Sequence, residues 1–315
     1  MRSLPEIGFS VGHATREDTG VTVIYCGEHG AVASVDVRGG GPGTRETDLL
    51  EPHNTVERIH ALVLAGGSAF GLAAADGVMR ELAEAGVGFP VFGEDKPGPR
   101  VPIVPGAVIF DLLAGPQRPT AEDGAAALRS ALSGHDASTG SVGAGVGACA
   151  GKVRGGVGIA LIDVSPYTLA AVIVANPVGN VIDGETGRLF GAPEKTPVDV
   201  ERFAAAQSLA EAHLNTTIGA VLTDAPITKA QAKRLALAGH DGIARAVRPA
   251  HSPLDGDAIF AASSSAAGTA SDVDSEVLAT LSAAAADAVE AAIVDAVVSA
   301  SPGLGLEAYS SLLAC

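Results

Sequence analysis

The chain has 315 residues and a mass of 31.1 kDa, which is enough for one large domain or two average ones with a substantial core. Its 20 Lys and Arg against 36 Asp and Glu give a formal net charge of −16, which disfavours nucleic acid and anionic membrane surfaces as partners. Three widely spaced cysteines, no signal-peptide pattern and no uncharged run of about 18 apolar residues lead us to expect a cytoplasmic protein without a membrane span.

The first third of the chain alternates short apolar runs with glycine-rich turns. The predicted strands cover residues 21–25, 31–37 and 60–64. The third run stops at Gly66 and Gly67, after which apolar residues recur at helical spacing. A helix capped by Ser68 and ended by Gly86 is therefore predicted there.

The rest of the chain is predicted to mix helices and strands. The predicted helices cover residues 121–132, 199–213, 228–247 and 276–300. The predicted strands lie within the glycine-rich segment 140–164 and over residues 172–175, 178–182, 217–223 and 257–262. Because strands come in groups and no βαβ unit of about 30 residues repeats, the order favours an α+β fold, with helices packed on two sheets, over a doubly wound parallel sheet.

The junction between the helix predicted over 199–213 and the following strand contains Asn215, Thr216 and Thr217. A threonine hydroxyl can attack the carbonyl before it, shift the acyl group from nitrogen to oxygen and, after hydrolysis of the ester, become an N-terminal threonine. Such a residue supplies both the nucleophile and the base. Its α-amino group titrates at about pH 8, so it can accept a proton more readily at neutral pH than a lysine amine, which titrates at about 10.4. The alternative is that these are ordinary loop residues.

Two further segments are candidates for chemistry. Asp255 and Asp257 flank a glycine, and in an extended chain both carboxylates would point to one face, where they could hold a threonine hydroxyl or an ammonium. The alternative is an acidic surface turn. Lys152 and Arg154 lie in a glycine-rich run that a substrate could approach closely, or they are solvated bases on an edge strand.

The eight histidines show no metal-ligand spacing. We interpret His240 and His251 as surface or packing residues rather than ligands.

Five ordered segments together resemble the L-aminopeptidase/D-esterase (DmpA) family, which includes β-aminopeptidases and the nylon-oligomer endohydrolase (NylC). The segments are GGSAFGLAAADGVMRELAEAGVG (66–88), VPIVPGAVIFDL (101–112), VGAGVGACAGKVRGGVG (142–158), VANPVGNVID (174–183) and LNTTIGAVLTDAPITKAQAKRLALAGHDGIARAVRPAHSPLDGDAIFA (214–261). The resemblance implies an αββα sandwich, one structural domain over 1–315, that cuts itself into an α chain, 1–215, and a β chain, 216–315. Relatives of the ornithine acetyltransferase kind are thought to share this fold.

The resemblance also assigns roles to individual residues. The cut would lie between Asn215 and Thr216, which makes Thr216 the nucleophile. Asn176 matches the residue that stabilises the tetrahedral oxyanion, a role that a side-chain amide N–H can perform. Lys152 matches a lysine near the nucleophile in the nylon-hydrolase branch. The pair that follows the nucleophile matches Asp255 and Asp257.

The chain departs from the family pattern at two positions. Phe110 stands where related hydrolases place a tyrosine close to the reacting carbonyl, and a phenylalanine cannot donate a hydrogen bond. Arg154 stands where several relatives have their lysine, so the assignment of Lys152 is open by two residues, although an arginine could not transfer protons. We predict that Phe110 and Ser68 line the substrate pocket.

These patterns predict a self-cleaving N-terminal-threonine amidohydrolase acting through an acyl-enzyme. Its substrate would be a small peptide or an amino-amide, and an acidic pocket would suit a free ammonium. The chemistry requires no cofactor and no metal, and the resemblance suggests a homo-oligomer, expected to be a tetramer. Two alternatives are an acyltransferase of the ornithine acetyltransferase type and an uncleaved, non-catalytic oligomeric homologue.

Overall fold

The computed structural model describes residues 2–93, 95–206, 215–265 and 273–314. The strands are β1 (Ser10–Thr15), β2 (Gly20–Tyr25), β3 (Ala31–Val37), β4 (Thr44–Arg45), β5 (Arg58–Ile59), β6 (Ala61–Ala65), β7 (Phe89–Pro90), β8 (Arg100–Val101), β9 (Gly106–Val108), β10 (Cys149–Ala150), β11 (Val153–Arg154), β12 (Gly156–Val164), β13 (Tyr167–Ala175), β14 (Ile218–Thr223) and β15 (Ala258–Ser263). The helices are α1 (Ala74–Glu84), α2 (Ala121–Ser133), α3 (Val200–Ala205), α4 (Lys229–Ala246) and α5 (Ser275–Val298).

Two mixed sheets form the centre of the molecule. A five-stranded sheet has the order β1-β2-β6-β9-β4, and a six-stranded sheet has the order β12-β13-β14-β15-β3-β5. Most neighbours are antiparallel, but β6 and β9 pair in parallel, as do β14 and β15. A parallel pair needs a long crossover, which α4 supplies between β14 and β15.

Alternating side chains build the layers. Along β13, Ala170, Val172 and Val174 face a core shared with the five-stranded sheet, whereas Leu169, Ala171 and Ile173 face a core shared with α4 and α5. A third core lies between the five-stranded sheet and the pair α1 and α2. The molecule is therefore layered as helix pair, sheet, sheet and helix pair, and the predicted α+β mixture is confirmed.

Glycine explains how closely these layers approach. A Cβ atom added to Gly158 on β12 would lie 1.8 Å from the carbonyl oxygen of Ala292 on α5. Only a residue without a side chain fits there, so the abundance of glycine reflects backbone contact between helix and sheet.

The long helices follow the sequence pattern. The helices predicted over 121–132, 228–247 and 276–300 correspond to α2, α4 and α5. At the start of α4, Thr228 and Gln231 form a reciprocal capping box. The helix predicted over 199–213 corresponds to α3, which ends at Ala205, and residues 207–214 lie outside the described part of the chain.

The helix start predicted at Ser68 is wrong. Ser68 is the first residue of a 3-10 turn over Ser68–Ala73 that precedes α1, and the cap position of this turn is Gly67. The φ of Ser68, +52°, lies in the left-handed region, whereas an N-cap has an extended backbone. The predicted end is confirmed, because α1 stops at Glu84 and Gly86 has a φ of +73°.

Helix α5 has 24 residues and is apolar enough, by length and composition, to cross a membrane. In this fold it packs against α4, β12 and β13, and its buried side chains belong to the core outside the six-stranded sheet. Core helices of globular proteins commonly have this composition.

Candidate active site

The site is built where the parallel pair β14 and β15 begins. Asn215 forms a parallel bridge with Asp255 just before the two strands start. The Asn215 N–H donates to the Leu254 carbonyl at 3.3 Å, and the Gly256 N–H donates to the Asn215 carbonyl at 3.1 Å. Residues 215–217 and 255–257 thus lie side by side, held in register by main-chain hydrogen bonds.

Thr216 is buried at this junction, with 4% of its surface exposed. Its Oγ1 donates to the carbonyl oxygen of Asn215, the residue before it, over 2.5 Å. Its main-chain N–H donates to the carbonyl oxygen of Asn176 at 2.7 Å. The hydroxyl therefore lies against the peptide group that joins Asn215 to Thr216.

Gly256 packs directly against the Thr216 hydroxyl. A Cβ atom at position 256 would lie 2.9 Å from Thr216 Oγ1 and 2.7 Å from the Gly41 carbonyl oxygen. Separations of this kind are too short for a carbon atom, so the space beside the hydroxyl requires glycine.

Asp255 holds the backbone that surrounds the site. Its Oδ1 accepts from the Val178 N–H at 3.0 Å, and its Oδ2 accepts from the Ser252 N–H and hydroxyl at 3.0 and 2.6 Å. Burial raises the pKa of this carboxyl above its ordinary value, and the hydrogen bonds from Ser252 and Val178 oppose that shift.

Asp257 holds the residue that follows Thr216. Its Oδ1 accepts from the Thr217 N–H at 2.7 Å, and its Oδ2 lies 2.8 Å from Nδ1 of His251. In this structure both aspartates are thus engaged by main-chain, hydroxyl and imidazole groups rather than by the Thr216 hydroxyl, because the strand register sets their direction.

A cavity of about 190 Å³ opens beside Thr216. Its lining residues are Gly41, Pro42, Gly43, Ser68, Ala69, Val108, Phe110, Asn215, Thr216 and Leu254. Ser68 and Phe110 both line this cavity, and their assignment to a substrate pocket stays a prediction. The expected acidic pocket is wrong for the described lining, which contains no carboxylate because both aspartates face the backbone.

Asn176 lies beside the peptide group that joins Asn215 to Thr216. Its Oδ1 accepts from the Cys149 N–H at 2.8 Å, and its Nδ2 donates to the Phe110 carbonyl at 3.2 Å. A second, smaller cavity of about 20 Å³ is shared by Asn176, Phe110 and Asn215. A carboxamide nitrogen has two N–H groups, so Asn176 can offer one to a reacting oxygen while the other is held by Phe110.

Lys152 and Arg154 point elsewhere. Lys152 Nζ donates to the carbonyl of Ala204 at 2.9 Å and lies 5.8 Å from the centroid of the Phe203 ring. Arg154 is buried and donates to the carbonyls of Gly303, at 3.2 Å, and Val146. Neither residue lines the cavity beside Thr216. The structure therefore does not bring Lys152 to Thr216.

Two histidines lie behind Asp257. His251 contacts this carboxylate and His240 packs against His251, which agrees with their interpretation as packing residues, but the contact with Asp257 is not predicted from the sequence. A usable signal was the spacing of His251 six residues before Asp257.

A buried carboxylate also orders the turn before Ser68. Asp111 accepts from the Thr19 hydroxyl at 2.6 Å and from the Gly67 N–H at 2.5 Å. Burial raises the pKa of Asp111 above its ordinary value. This carboxylate fixes the left-handed turn that presents Ser68 to the cavity.

Residues 7–309 match the model of peptidase family S58. The chain therefore belongs to this family and is a peptide or amide hydrolase. The predicted resemblance to the L-aminopeptidase/D-esterase family is confirmed.

Two relatives show the range of the family. An uncharacterized aminopeptidase of Mycobacterium leprae is 44% identical over 348 aligned residues, covering 99% of this chain and 94% of that protein. A 6-aminohexanoate-oligomer endohydrolase of Kocuria sp. is 33% identical over 272 residues, covering 81% of this chain and 72% of that protein.

Solved structures share the fold. A β-aminopeptidase of Burkholderia sp. superposes with a TM-score of 0.76 at 23% identity, over 98% of this chain and 92% of that one. The L-aminopeptidase D-Ala-esterase/amidase of Ochrobactrum anthropi, described as a variant of the Ntn hydrolase fold, gives a TM-score of 0.71 at 22% identity, over 95% of this chain and 86% of that one.

Proposed function

We propose that the chain is the precursor of a self-cleaving amidohydrolase whose nucleophile is Thr216. Cleavage after Asn215 would give chains 1–215 and 216–315, which stay together as one αββα unit. The observation that supports this most strongly is the burial of the Thr216 hydroxyl against the carbonyl of Asn215.

In the proposed self-cleavage, Thr216 Oγ1 attacks the carbonyl carbon of Asn215. The hydroxyl proton passes to the Thr216 nitrogen, the C–N bond breaks, and Asn215 becomes esterified to Thr216. Water then hydrolyses the ester, which leaves a carboxylate on Asn215 and a free α-amine on Thr216.

The surroundings suit each charge that develops. The Asn215 carbonyl oxygen already accepts a hydrogen bond from the Gly256 N–H at 3.1 Å, which would stabilise negative charge on that oxygen. The leaving nitrogen is held by the Asn176 carbonyl at 2.7 Å.

For turnover, the freed amine of Thr216 would act as the base for its own hydroxyl, which attacks the substrate amide and forms an acyl-enzyme. Val108, Phe110 and Leu254 give the cavity an apolar wall. Together with the names of the relatives, this favours a small peptide or amino-amide whose side chain next to the scissile bond is aliphatic. A cytoplasmic location and a homo-oligomeric state belong to the same proposal.

Trapping the acyl-enzyme tests this function. The processed protein would be mixed with excess leucine p-nitroanilide, β-alanine p-nitroanilide or 6-aminohexanoate dimer, and quenched in acid for mass spectrometry. We expect the fragment beginning at Thr216 to gain the mass of the acyl group, and the Thr216→Ala chain to be inactive. Full activity of Thr216→Ala would overturn the assignment. Release of product only when hydroxylamine is added would favour the acyltransferase alternative.

A further inference from the structure

His251 lies between two hydrogen-bond acceptors. Its Nδ1 is 2.8 Å from Oδ2 of Asp257, and its Nε2 is 3.4 Å from the carbonyl oxygen of His240. A neutral imidazole has one N–H and one lone pair, so it can satisfy only one of these acceptors. The doubly protonated cation satisfies both.

The neighbouring His240 has the opposite surroundings. Its Nε2 faces the carbonyl oxygen of Asp36 at 3.0 Å, and its Nδ1 is buried without a hydrogen-bond partner among the described residues. Burial lowers the pKa of His240 to about 4, which keeps this ring neutral. The two rings meet edge to face, with centroids 4.9 Å apart, so the His240 ring packs against that of His251.

The backbone of His251 is held in an unfavourable conformation. Its φ is +55°, in the left-handed region that residues with a side chain rarely occupy. Such conformations persist where the surrounding structure over-determines them, and they cluster at functional sites. Here the conformation aims the imidazole at Asp257.

We propose that His251, as an imidazolium, is a positioning residue for the reactions of Thr216. It holds one oxygen of Asp257 so that the other oxygen fixes the Thr217 N–H, which is the peptide group next to the nucleophile. This role rests on the proposed function, because it aligns the Thr216 hydroxyl with the carbonyl of Asn215.

The charged groups around His251 set the pH range of this device. Asp257 and the carbonyl of His240 favour the cation, whereas burial and Arg38 oppose it. Behind His240, Asp36 is paired with Arg38 at 2.8 Å and lies 3.8 Å from Lys233. Burial lowers the pKa of His251, but the hydrogen bond and charge of Asp257 outweigh burial and place it above its ordinary 6.5.

The test measures self-cleavage as a function of pH. Radiolabelled precursor from cell-free translation is transferred to buffers spanning pH 5.5 to 9, and the appearance of the fragment beginning at Thr216 is followed. His251→Asn is informative because asparagine tolerates the left-handed conformation but carries no charge. The exposed His53→Asn serves as the matched control.

We expect the wild type to slow as the pH rises through the pKa of His251. His251→Asn should lack that descending limb and be on the order of ten- to a hundredfold slower at neutral pH, as expected for a small misplacement of a reacting group. His53→Asn should match the wild type. If His251→Asn cleaves at the wild-type rate with the wild-type profile, the positioning role is overturned. A wild-type chain that never cleaves overturns the proposed function itself.

A second measurement covers the case in which His251→Asn does not fold. The uncut Thr216→Ala chain, labelled with ¹⁵N-histidine, is titrated by NMR. We expect the His251 ring to have both nitrogens protonated at pH 6.5, and the buried His240 ring to be neutral there. If the rings of His251 and His240 are both neutral at that pH, the proposal is overturned without any reference to activity.

Discussion

Residues 255–257 and residues 152–154 both place charged side chains beside glycines, yet they end in different parts of the molecule. Asp257 binds the main chain next to Thr216, whereas Lys152 binds the carbonyl of Ala204, at the end of α3. The aspartates are short and follow a parallel strand register that sets their direction. The lysine is long, so its destination depends on whichever acceptor the tertiary fold offers.

The largest effect is expected at the glycine between the aspartates. In Gly256→Ala, the new methyl group would displace the Thr216 hydroxyl from the Asn215 carbonyl, and self-cleavage should slow by about a hundredfold or more. Intact-mass spectrometry at successive times would measure it. Gly41→Ala is the control, since a Cβ there meets no atom within 4 Å. Equal cleavage in the two variants would refute the close packing at residue 256.

Asp257→Asn should have the next largest effect. It removes the partner of His251 and turns one acceptor oxygen into an amide, so the uncut Thr216→Ala background should lose about 2 kcal/mol of unfolding free energy. Urea denaturation measures this loss. Asp76→Asn, which breaks an exposed pair with Arg45, should cost less than about 1 kcal/mol. A similar cost for both variants would contradict a supporting role for Asp257.

His251 should make stability depend on pH. Its folded pKa is raised, so the stabilisation is fully present below the unfolded pKa and is lost as the pH rises through the folded pKa. In the uncut background, the difference in unfolding free energy between parent and His251→Asn should be largest below about pH 6. It should shrink at higher pH, because the imidazolium then loses its proton. A difference in unfolding free energy that grows with pH would contradict the positive charge assigned to His251.

The smallest effect is expected at Lys152. Because its ammonium is bound near Phe203, Lys152→Ala should change the self-cleavage rate by no more than about twofold, the range of ordinary surface substitutions. The exposed Lys96→Ala is the matched control. A hundredfold loss of the self-cleavage rate in Lys152→Ala alone would show that the lysine takes part in the reaction. Residues 152–154 and 255–257 would then both serve the site.

Local pattern was enough to predict much of this fold. Helix α4 begins at a capping box on Thr228, and β3 spans the strand predicted over 31–37. Turn geometry was harder, because the left-handed backbone of Ser68 is imposed by Asp111 through the Gly67 N–H, more than forty positions away. Such long-range contacts leave no periodic signal in the chain.

For the site, the sequence predicts which segments take part but not how their side chains are oriented. Residues 215–217 and 255–257 were singled out because a hydroxyl and two carboxylates in extended segments are recognisable as residue types. The direction of the carboxylates and the charge of His251 could not be predicted, since they depend on which acceptors surround each group.

Both the self-cleavage and the turnover proposed here require Thr216 to attack the peptide before it. The intact mass of the purified protein under denaturing conditions tests this directly, beside Thr216→Ala and Thr216→Ser. We predict two fragments, one ending at Asn215 and one starting at Thr216, in the wild type and more slowly in Thr216→Ser. Thr216→Ala should remain one chain. An uncut wild type, or a Thr216→Ala chain cut at the same bond, would contradict the central claim.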